Sequence, residues 1–321
     1  VYGQYDHEVG IRTVTKPGYD ASVLRLDNGK FLSIKIDGNP KQCYINPREG
    51  AIGCFEEACR NVVCTGAKPI GMLDHLQFGN PNDPEIFWTF LESLKGLTDF
   101  AKDFEIPCVG GKVSLYNETS DGPIKPTPVI GVIGLIDKKP LKIQKINSGD
   151  SLIMIGDTKD ELGGSEYSEY VHKFIGGKCP AVDFIESKKN MNSVLDIIEN
   201  ELIKSAHDCS KGGLAIAISE LCMINQVGCN VSLEKIPGEK LDSDKILFSE
   251  SHSRYLLTIE NKNLSKLEET LKKYGVSYSL IGEFTGDSIC FSSDSKPIID
   301  LSVDKAQKTW FNSLKEMVLH A

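Results

Sequence analysis

The residues with the clearest chemical potential lie between Pro69 and Asn117, in two runs: P-I-G-M-L-D-H-L-Q-F-G-N-P-N-D-P-E-I-F-W and I-P-C-V-G-G-K-V-S-L-Y-N. Ile70, Met72 and Leu73 spell a short buried strand that delivers Asp74 to its C-terminal end. Ile106 to Val109 spell a second strand that ends in Gly110-Gly111. Lacking Cβ atoms, a diglycine lets backbone N–H groups close on an anion, which suits a phosphate; the same pair also serves as a plain turn. An acid beside it would hold a divalent cation that bridges phosphate oxygens, and the alternative for Asp74 is a solvated loop acid. In an extended segment Lys112 and Ser114 point to one side. Lys112 is then either a phosphate-facing cation or a strand-end lysine in solvent. Ser114 offers its hydroxyl to a phosphate or amide, or is a half-buried strand serine.

Further candidates stand at other strand ends. Asp37 closes an apolar run and meets the turn formers Gly38-Asn39-Pro40. Asp208 lies in A-H-D-C-S-K-G-G-L, where Gly212-Gly213 open an amphipathic helix, Leu214 to Ile224; such an N-terminus is a ready anion site, although many bind nothing. Glu250 and Ser251 belong to F-S-E-S-H-S-R, in which His252 is read as a loop histidine. The ten cysteines contain no C-x-x-C pair and the six histidines no H-x-x-x-H pair. The expectation is buried reduced thiols and no structural metal.

Several elements must position these residues. Asp20 to Leu26 and Phe31 to Ile36 form a hairpin around Asp27-Asn28-Gly29. A helix from Asn46-Pro47 buries Ala51, Ile52, Phe55, Ala58, Cys59, Val62 and Val63 on one face, with Gly66 as its left-handed C′ residue. Asp83 caps a helix running to Glu105 that carries Phe87, Trp88, Phe90, Leu91, Leu94 and Leu97 on one face. Glu118 to Pro126 reads as a lid or edge loop and Pro128 to Ile136 as a strand, with the first unit ending near Asp137. After the connector Lys138 to Asp150 come a strand at Ser151 to Gly156, a helix from about Ser187 to Lys204, a strand at Tyr255 to Ile259, a helix at Leu264 to Tyr274 and a closing helix around Trp310, Phe311 and Leu314.

A chain of 321 residues with 40% hydrophobic content supports two domains. Its net charge of −9 and absence of basic runs exclude a general nucleic-acid or membrane-surface binder. No apolar stretch approaches the roughly 18 residues of a spanning helix. With no signal-peptide pattern, a cytoplasmic location is expected. The opening V-Y-G-Q-Y-D-H-E-V-G has no initiator methionine, so the chain is expected to begin inside a longer polypeptide.

The runs D-x-L-x-F-G-N-P-x-x-P-E-I-F-W, G-G-x-V-S-L-Y-N-E-T, A-H-D-x-S-x-G-G-L and E-S-x-S-R, in that order, resemble the second half of the phosphoribosylformylglycinamidine synthases, synthetase subunits of purine biosynthesis. More widely they resemble the aminoimidazole ribonucleotide synthetase-like enzymes. The resemblance implies an α+β fold of two domains, 1–140 and 141–321, the first forming a shared β-barrel with a like domain and the second a mixed sheet covered by helices. It implies an ATP-dependent carbon–nitrogen ligase that uses ATP and Mg2+ to phosphorylate the amide oxygen of formylglycinamide ribonucleotide; ammonia from glutamine then displaces the phosphate.

In that family Asp74 and Gly111 would contact ATP and Ser114 the ribonucleotide. Lys112 occupies the magnesium-ligand position, where the family has Asn; an ammonium donates and cannot ligate. The family's S-H-N-H motif and first pair of domains do not occur here, so no catalytic residue is assigned and no turnover is expected from the chain alone. Implied partners are a first-half domain or a second copy, a glutaminase subunit and a small bridging subunit. Self-association would cover Val23, Ile34 and Val132, expected to be exposed. Two alternatives remain: a non-catalytic structural half, with or without a trapped nucleotide, and a phosphate-transferring kinase of the same fold, against which the F-G-N-P-x-x-P-E-I-F-W run speaks.

Overall fold

The computed structural model describes residues 5–142 and 145–319. Two sheets carry the architecture. The first has strand order β1-β2-β3-β8-β4-β5, with β1 at Thr13–Thr15, β2 at Ser22–Arg25, β3 at Phe31–Asp37, β4 at Lys68–Gln77, β5 at Cys108–Ser114 and β8 at Thr127–Ile136. The hairpin forms as expected, with Gly29 at φ 81° in its turn. Two-residue strands β6 (Glu118–Thr119) and β7 (Gly122–Pro123) make a small separate hairpin where a lid or edge loop was expected.

Alternation gives the first sheet one covered and one open face. On β8, Ile130, Val132 and Ile136 are buried, while Val129, Ile133 and Leu135 point the other way. Register carries this phase across the sheet. Val132 pairs with Lys35 and Met72 on the covered side, and Gly131 with Ile36 and Leu73 on the open side. Val23 and Val132 are therefore buried, contrary to expectation, and exposed apolar residues of this sheet include Ile36, Ile70, Leu73 and Val109.

The covered side packs on α2 (Pro47–Val63), which is enclosed on all sides. Every residue from Gly50 to Val63 is buried, where sequence spacing predicts a single buried face. The reason is tertiary: α3 (Pro84–Asp103) flanks it, and α5 (Phe184–Glu199) and β10 (Ser205–Asp208) of the second sheet's layer meet its far side. Asn46 accepts the Arg48 and Glu49 N–H groups at the α2 N-terminus and also closes α1 (Pro40–Ile45). That short helix was not anticipated, although Asn39-Pro40 has the form of a cap followed by an N1 proline. Gly66, at φ 84°, lies two residues beyond the α2 cap Cys64.

Asp83 does cap α3, accepting the Glu85 and Ile86 N–H groups. Its buried side, however, is Ser93, Gly96, Leu97 and Phe100, and Phe87, Trp88 and Leu91 stay exposed. The second sheet has order β10-β12-β9-β13-β11-β14-β15, mixed because only β11 (Cys229–Ser232) and β14 (Ser288–Ser293) pair in parallel. The others are β9 (Ser151–Ile155), β12 (Tyr255–Ile259), β13 (Tyr278–Phe284) and β15 (Lys296–Ser302). Alternate residues of β9 enter different cores. Ile153 and Ile155 join the core that runs through α5 and α2 to the first sheet, while Leu152 and Met154 face α6 (Gly213–Asn225). The helix expected at 187–204 is α5, begun earlier by the Asp183 cap and followed by strand β10. Helix α8 (Leu264–Tyr274) lies at its expected position, and α9 (Val303–Leu319) closes the chain.

Eight of the ten free cysteines are buried; Cys108 is exposed and Cys290 intermediate. Among the described residues no helix is long and apolar enough to cross a membrane. Ile143 and Gln144 of the expected connector, and the first four residues, lie outside the described residues.

Helices α2 and α3 touch most closely at Gly96, where an added Cβ would lie 2.4 Å from the Arg48 carbonyl oxygen. On an open helix Gly→Ala gains about 1 kcal/mol. Here the obstruction is backbone and cannot swing away, so Gly96→Ala is expected to lower the unfolding free energy by about 1–3 kcal/mol. Urea denaturation checks the sign: a stabilised variant would mean the helices separate without cost.

Candidate functional site

The first sheet brings together part of the Pro69–Asn117 constellation and divides the rest. β4 runs three residues past Asp74, and the diglycine sits inside β5, because parallel pairing continues from Leu73↔Gly110 to Gln77↔Ser114. Asp74 is thus mid-strand and Gly110-Gly111 is extended backbone, neither being a strand end. Asp74 pairs with Gly111, and a Cβ at 111 would lie 2.1 Å from its Oδ1. The glycine accommodates this carboxylate, which also accepts the Lys112 backbone N–H and stands 3.9 Å from the Cys108 thiol. Burial pushes the Asp74 carboxyl above its ordinary range despite these donors. Lys112 and Ser114 pair with His75 and Gln77 on the opposite face. Lys112 is exposed; the Ser114 hydroxyl lies 3.2 Å from Asn117 Nδ2.

A denser constellation forms where the two sheets' layers meet. Asp208, at the end of β10, accepts from Arg60 Nη2 at 3.3 Å and Asn61 Nδ2 at 3.1 Å, and burial pushes its carboxyl up to about 6 against the pull of Arg60. Asp20 accepts the Asp208 N–H at 2.9 Å and lies 3.0 Å from His207 Nδ1, whose Nε2 is 3.2 Å from Glu220. Burial opposes a charge on His207, but the Asp20 and Glu220 carboxylates overcome it and hold the imidazole well above its usual range. Of these groups Asp20, Asn61, His207, Asp208 and Glu220 line a cavity of about 360 Å³ bordered by Trp310 and Phe311 of α9, into which Ser205 and Lys35 also face. The buried Ser205 hydroxyl has no hydrogen-bond partner.

Ligand atoms of Asp20, His207 and Asp208 all lie within 4.8 Å of one another, the one such cluster among the described residues. Two carboxylates are hard oxygen donors suited to a divalent cation. A cation there must compete with the proton that Asp20 and Glu220 hold on His207. By donor chemistry this cluster fits a cation and the Lys112 position does not.

Asp37 sits at the end of β3 as expected, 3.7 Å from Lys211 Nζ, which donates to the Gly38 carbonyl at 2.8 Å. Glu57 faces the same corner; burial, then Asp37, push its carboxyl well above the usual range. Glu250 is buried and accepts the Gly212 N–H at 2.9 Å and the Glu166 N–H at 2.8 Å. The expected anion site at the α6 N-terminus is thus filled by the chain's own carboxylate. Ser251 Oγ accepts the Lys159 N–H at 3.1 Å. His252 lies in a loop as read, and it is buried. It occupies the space that Gly53 leaves, 3.7 Å from Glu56.

Sequence reasoning did not select Asp20, Glu57, Arg60, His207, Lys211 or Glu220. One signal was available: F-E-E-A-C-R-N places four polar residues in a helix otherwise apolar, and a helix enclosed on all sides must pair each of them.

Models of the AIR synthase related protein family match the chain twice, the N-terminal domain over residues 18–136 and the C-terminal domain over residues 147–292. The phosphoribosylformylglycinamidine synthase subunit PurL of Methanocaldococcus jannaschii is 41% identical over 99% of this chain, and that of Thermococcus sibiricus 39% identical over 99%. This chain covers 44% of each, so it spans about half the length of the curated relatives it matches. A solved structure described as Thermotoga maritima PurL complexed with FGAR superposes with a TM-score of 0.79 at 18% identity, over 92% of this chain and 49% of that one. A chain of a HypE–HypF complex superposes at 0.64 and 18% identity, over 89% and 93%. At these identities the superpositions establish the fold.

The buried His252 yields a pH test. Burial, reinforced by Arg60, Arg254 and Lys159, keeps its imidazole well below the ordinary range, and Glu56 is the facing acid. An unfolded histidine takes up its proton near pH 6.5. The folded chain does not, so stability is full above that pH and falls as pH drops below it, by up to about 1.4 kcal/mol per pH unit. His252→Gln is expected to remove about one proton from the pH dependence of urea unfolding between pH 7 and 5. Equal slopes in the two proteins would show that His252 titrates normally.

Proposed function

We propose, from the premise that this chain belongs to the AIR synthase related family, that it is the second half of the ATP-dependent ligase that forms formylglycinamidine ribonucleotide in purine biosynthesis. The observation that carries this reading is identity near 40% to PurL subunits along 99% of the chain. In this reading the chain works in the cytoplasm, with a boundary between its two domains near Pro140. Its partners are a first-half domain or a second copy, a glutaminase subunit and a small bridging subunit. PurL structures described as complexed with ATP, ADP and AMPPCP support a nucleotide ligand, and Mg2+ is its proposed companion.

ATP, when bound, supplies the phosphoryl group that turns an amide oxygen into a leaving group. The chain's own part is to hold and neutralise charge. Asp74 and Gly111 are the proposed nucleotide contacts on one sheet face; Ser114 is the proposed ribonucleotide contact on the other, open face. That face carries Ile36, Leu73 and Val109, an apolar surface suited to a like sheet closing a shared barrel.

One observation favours the structural-half reading. Asp74 occupies the space at Gly111, Lys112 cannot ligate magnesium, and the cation-competent acids lie at the junction of the layers. We therefore propose Asp20 and Asp208, rather than Lys112, as a divalent-cation site of this half, separate from the Asp74 and Gly111 nucleotide contacts, and regard this half as one that holds a nucleotide while the other half turns over.

Calorimetric titration of the chain with ATP across a magnesium series tests the reading. Binding is expected, and Asp74→Asn should weaken it about tenfold while moving the melting temperature by no more than a surface substitution does. Unchanged affinity with a lowered melting temperature would make Asp74 structural; no binding to the wild-type chain, alone or with a first half, would remove the nucleotide assignment. Sedimentation tests the open face: self-association at micromolar concentration is expected, and Ile36→Lys should leave a monomer. A wild-type monomer would show that this face needs no cover.

A further inference from the structure

Glu250 is a carboxylate buried where two helices begin. Its Oε1 accepts the N–H of Gly212, the N-cap of α6, and the N–H of Glu166, the first residue of α4 (Glu166–His172). Helix N-termini attract an anion, and this pair receives one from within the chain. Gly212 and Gly213 both have positive φ, 80° and 68°, so the loop before α6 takes a course few other residues could follow. That loop ends β10 with Asp208 and carries Lys211, whose ammonium reaches across to the Gly38 carbonyl at 2.8 Å and to Asp37 at 3.7 Å.

We infer that Glu250 is a positioning residue of this junction: by anchoring Gly212 it fixes the Asp208–Gly212 loop and so holds Lys211 on the end of β3. The link is short. One peptide separates the anchored N–H from the Lys211 Cα, and the lysine's partners belong to the other sheet, so a loop released at Gly212 loses the direction in which Lys211 must extend. Glu250 does not line the cavity; it acts on Lys211 through this backbone and, as a smaller effect, through the charge of its carboxylate. A glutamine retains a carbonyl oxygen able to accept both N–H groups; an alanine does not. Burial opposes the Lys211 charge, but Asp37 and Glu57 prevail and hold its ammonium above the ordinary range, which slows reaction with acylating reagents.

The test is competitive acylation of the folded chain with acetic anhydride, read lysine by lysine by mass spectrometry. The internal control is Lys204, buried and paired with Asp150 at 2.8 Å in the same layer. Glu250→Ala is expected to raise Lys211 reactivity about tenfold with Lys204 unchanged, and Glu250→Gln to leave both near wild type. Unchanged Lys211 in Glu250→Ala, a joint rise of Lys211 and Lys204, or an equal rise of Lys211 in Glu250→Ala and Glu250→Gln would overturn the inference, the second by showing general loosening and the third by showing that the lost charge alone acts. A further measurement deepens the proposed function and rests on it: magnesium–ATP affinity should fall in Glu250→Ala, and recover in Glu250→Gln. If the wild-type chain binds no ATP, the proposed function fails while the acylation pattern still decides the role of Glu250.

Discussion

The structure depends on keeping Arg60 charged in a place that water does not reach. Arg60 is fully buried in α2, paired with Glu56 one turn earlier and with Asp208 from the second sheet's layer. Burial alone would expel the charge; Glu56, Asp208 and Glu57 hold it. Removing one member of such a group leaves an uncompensated charge and costs about 3–5 kcal/mol, whereas the intact group adds little net stability over an apolar packing. Its consequence is specificity: α2 has one rotation that brings Glu56 and Arg60 to Asp208 while Ala51, Phe55, Ala58 and Val62 face apolar neighbours. That rotation fixes how the two layers meet, and hence where the cavity lies.

The same network explains why the chemistry gathers at the junction rather than along β4 and β5. Parallel pairing through Gly110-Gly111 leaves the diglycine extended, and its missing Cβ is answered by Asp74. At the junction, strand ends β3 and β10, the loop before α6 and the polar side of α2 converge, and none of the acids there is neutralised by one partner alone. Asp37, Glu57, Asp208 and Asp20 share Lys211, Arg60, Asn61 and His207 among them. Burial, helped by neighbouring acids, raises the carboxyls of Glu57 and Asp208 against the pull of Arg60, while His207 lowers that of Asp20 against its burial, which leaves the group responsive to any added cation.

Local pattern was legible in the sequence and layer contact was not. The Asp83 cap, the helix from Asn46-Pro47, the hairpin at Asp27-Asn28-Gly29 and the strand at β9 all follow from turn chemistry and period, and form as spaced. Errors arose where a distant element decided the outcome. Phe87, Trp88 and Leu91 share a helical stripe with Phe90 and Leu94, yet α2 meets α3 through Ser93 and Gly96, small residues without an apolar signal. Asp37 and Asp208 were legible because strand-end acids near glycines stand out, and Glu250 because it stands in the polar run F-S-E-S-H-S-R; Asp20, Arg60 and Glu220 were not, because nothing local shows that a partner waits across the junction. His252 belongs to the same class, since its burial depends on Gly53, 199 positions earlier in the chain.

A final constraint comes from charge. The chain carries −9 overall, so a polyanionic ligand approaches against the mean field and must be met by local cations. Arg60 is committed to Glu56 and Asp208, Lys204 to Asp150, and Lys211 to the end of β3. Lys35 faces the cavity, and beside it Asp20 and Asp208 supply oxygens that repel an anion unless a metal ion intervenes. The cavity therefore sets two acids beside one lysine, an arrangement that favours a cation over a bare anion. That arrangement sets it apart from Lys112, an exposed cation on the opposite, open face of the first sheet with no acid paired to it among the described residues.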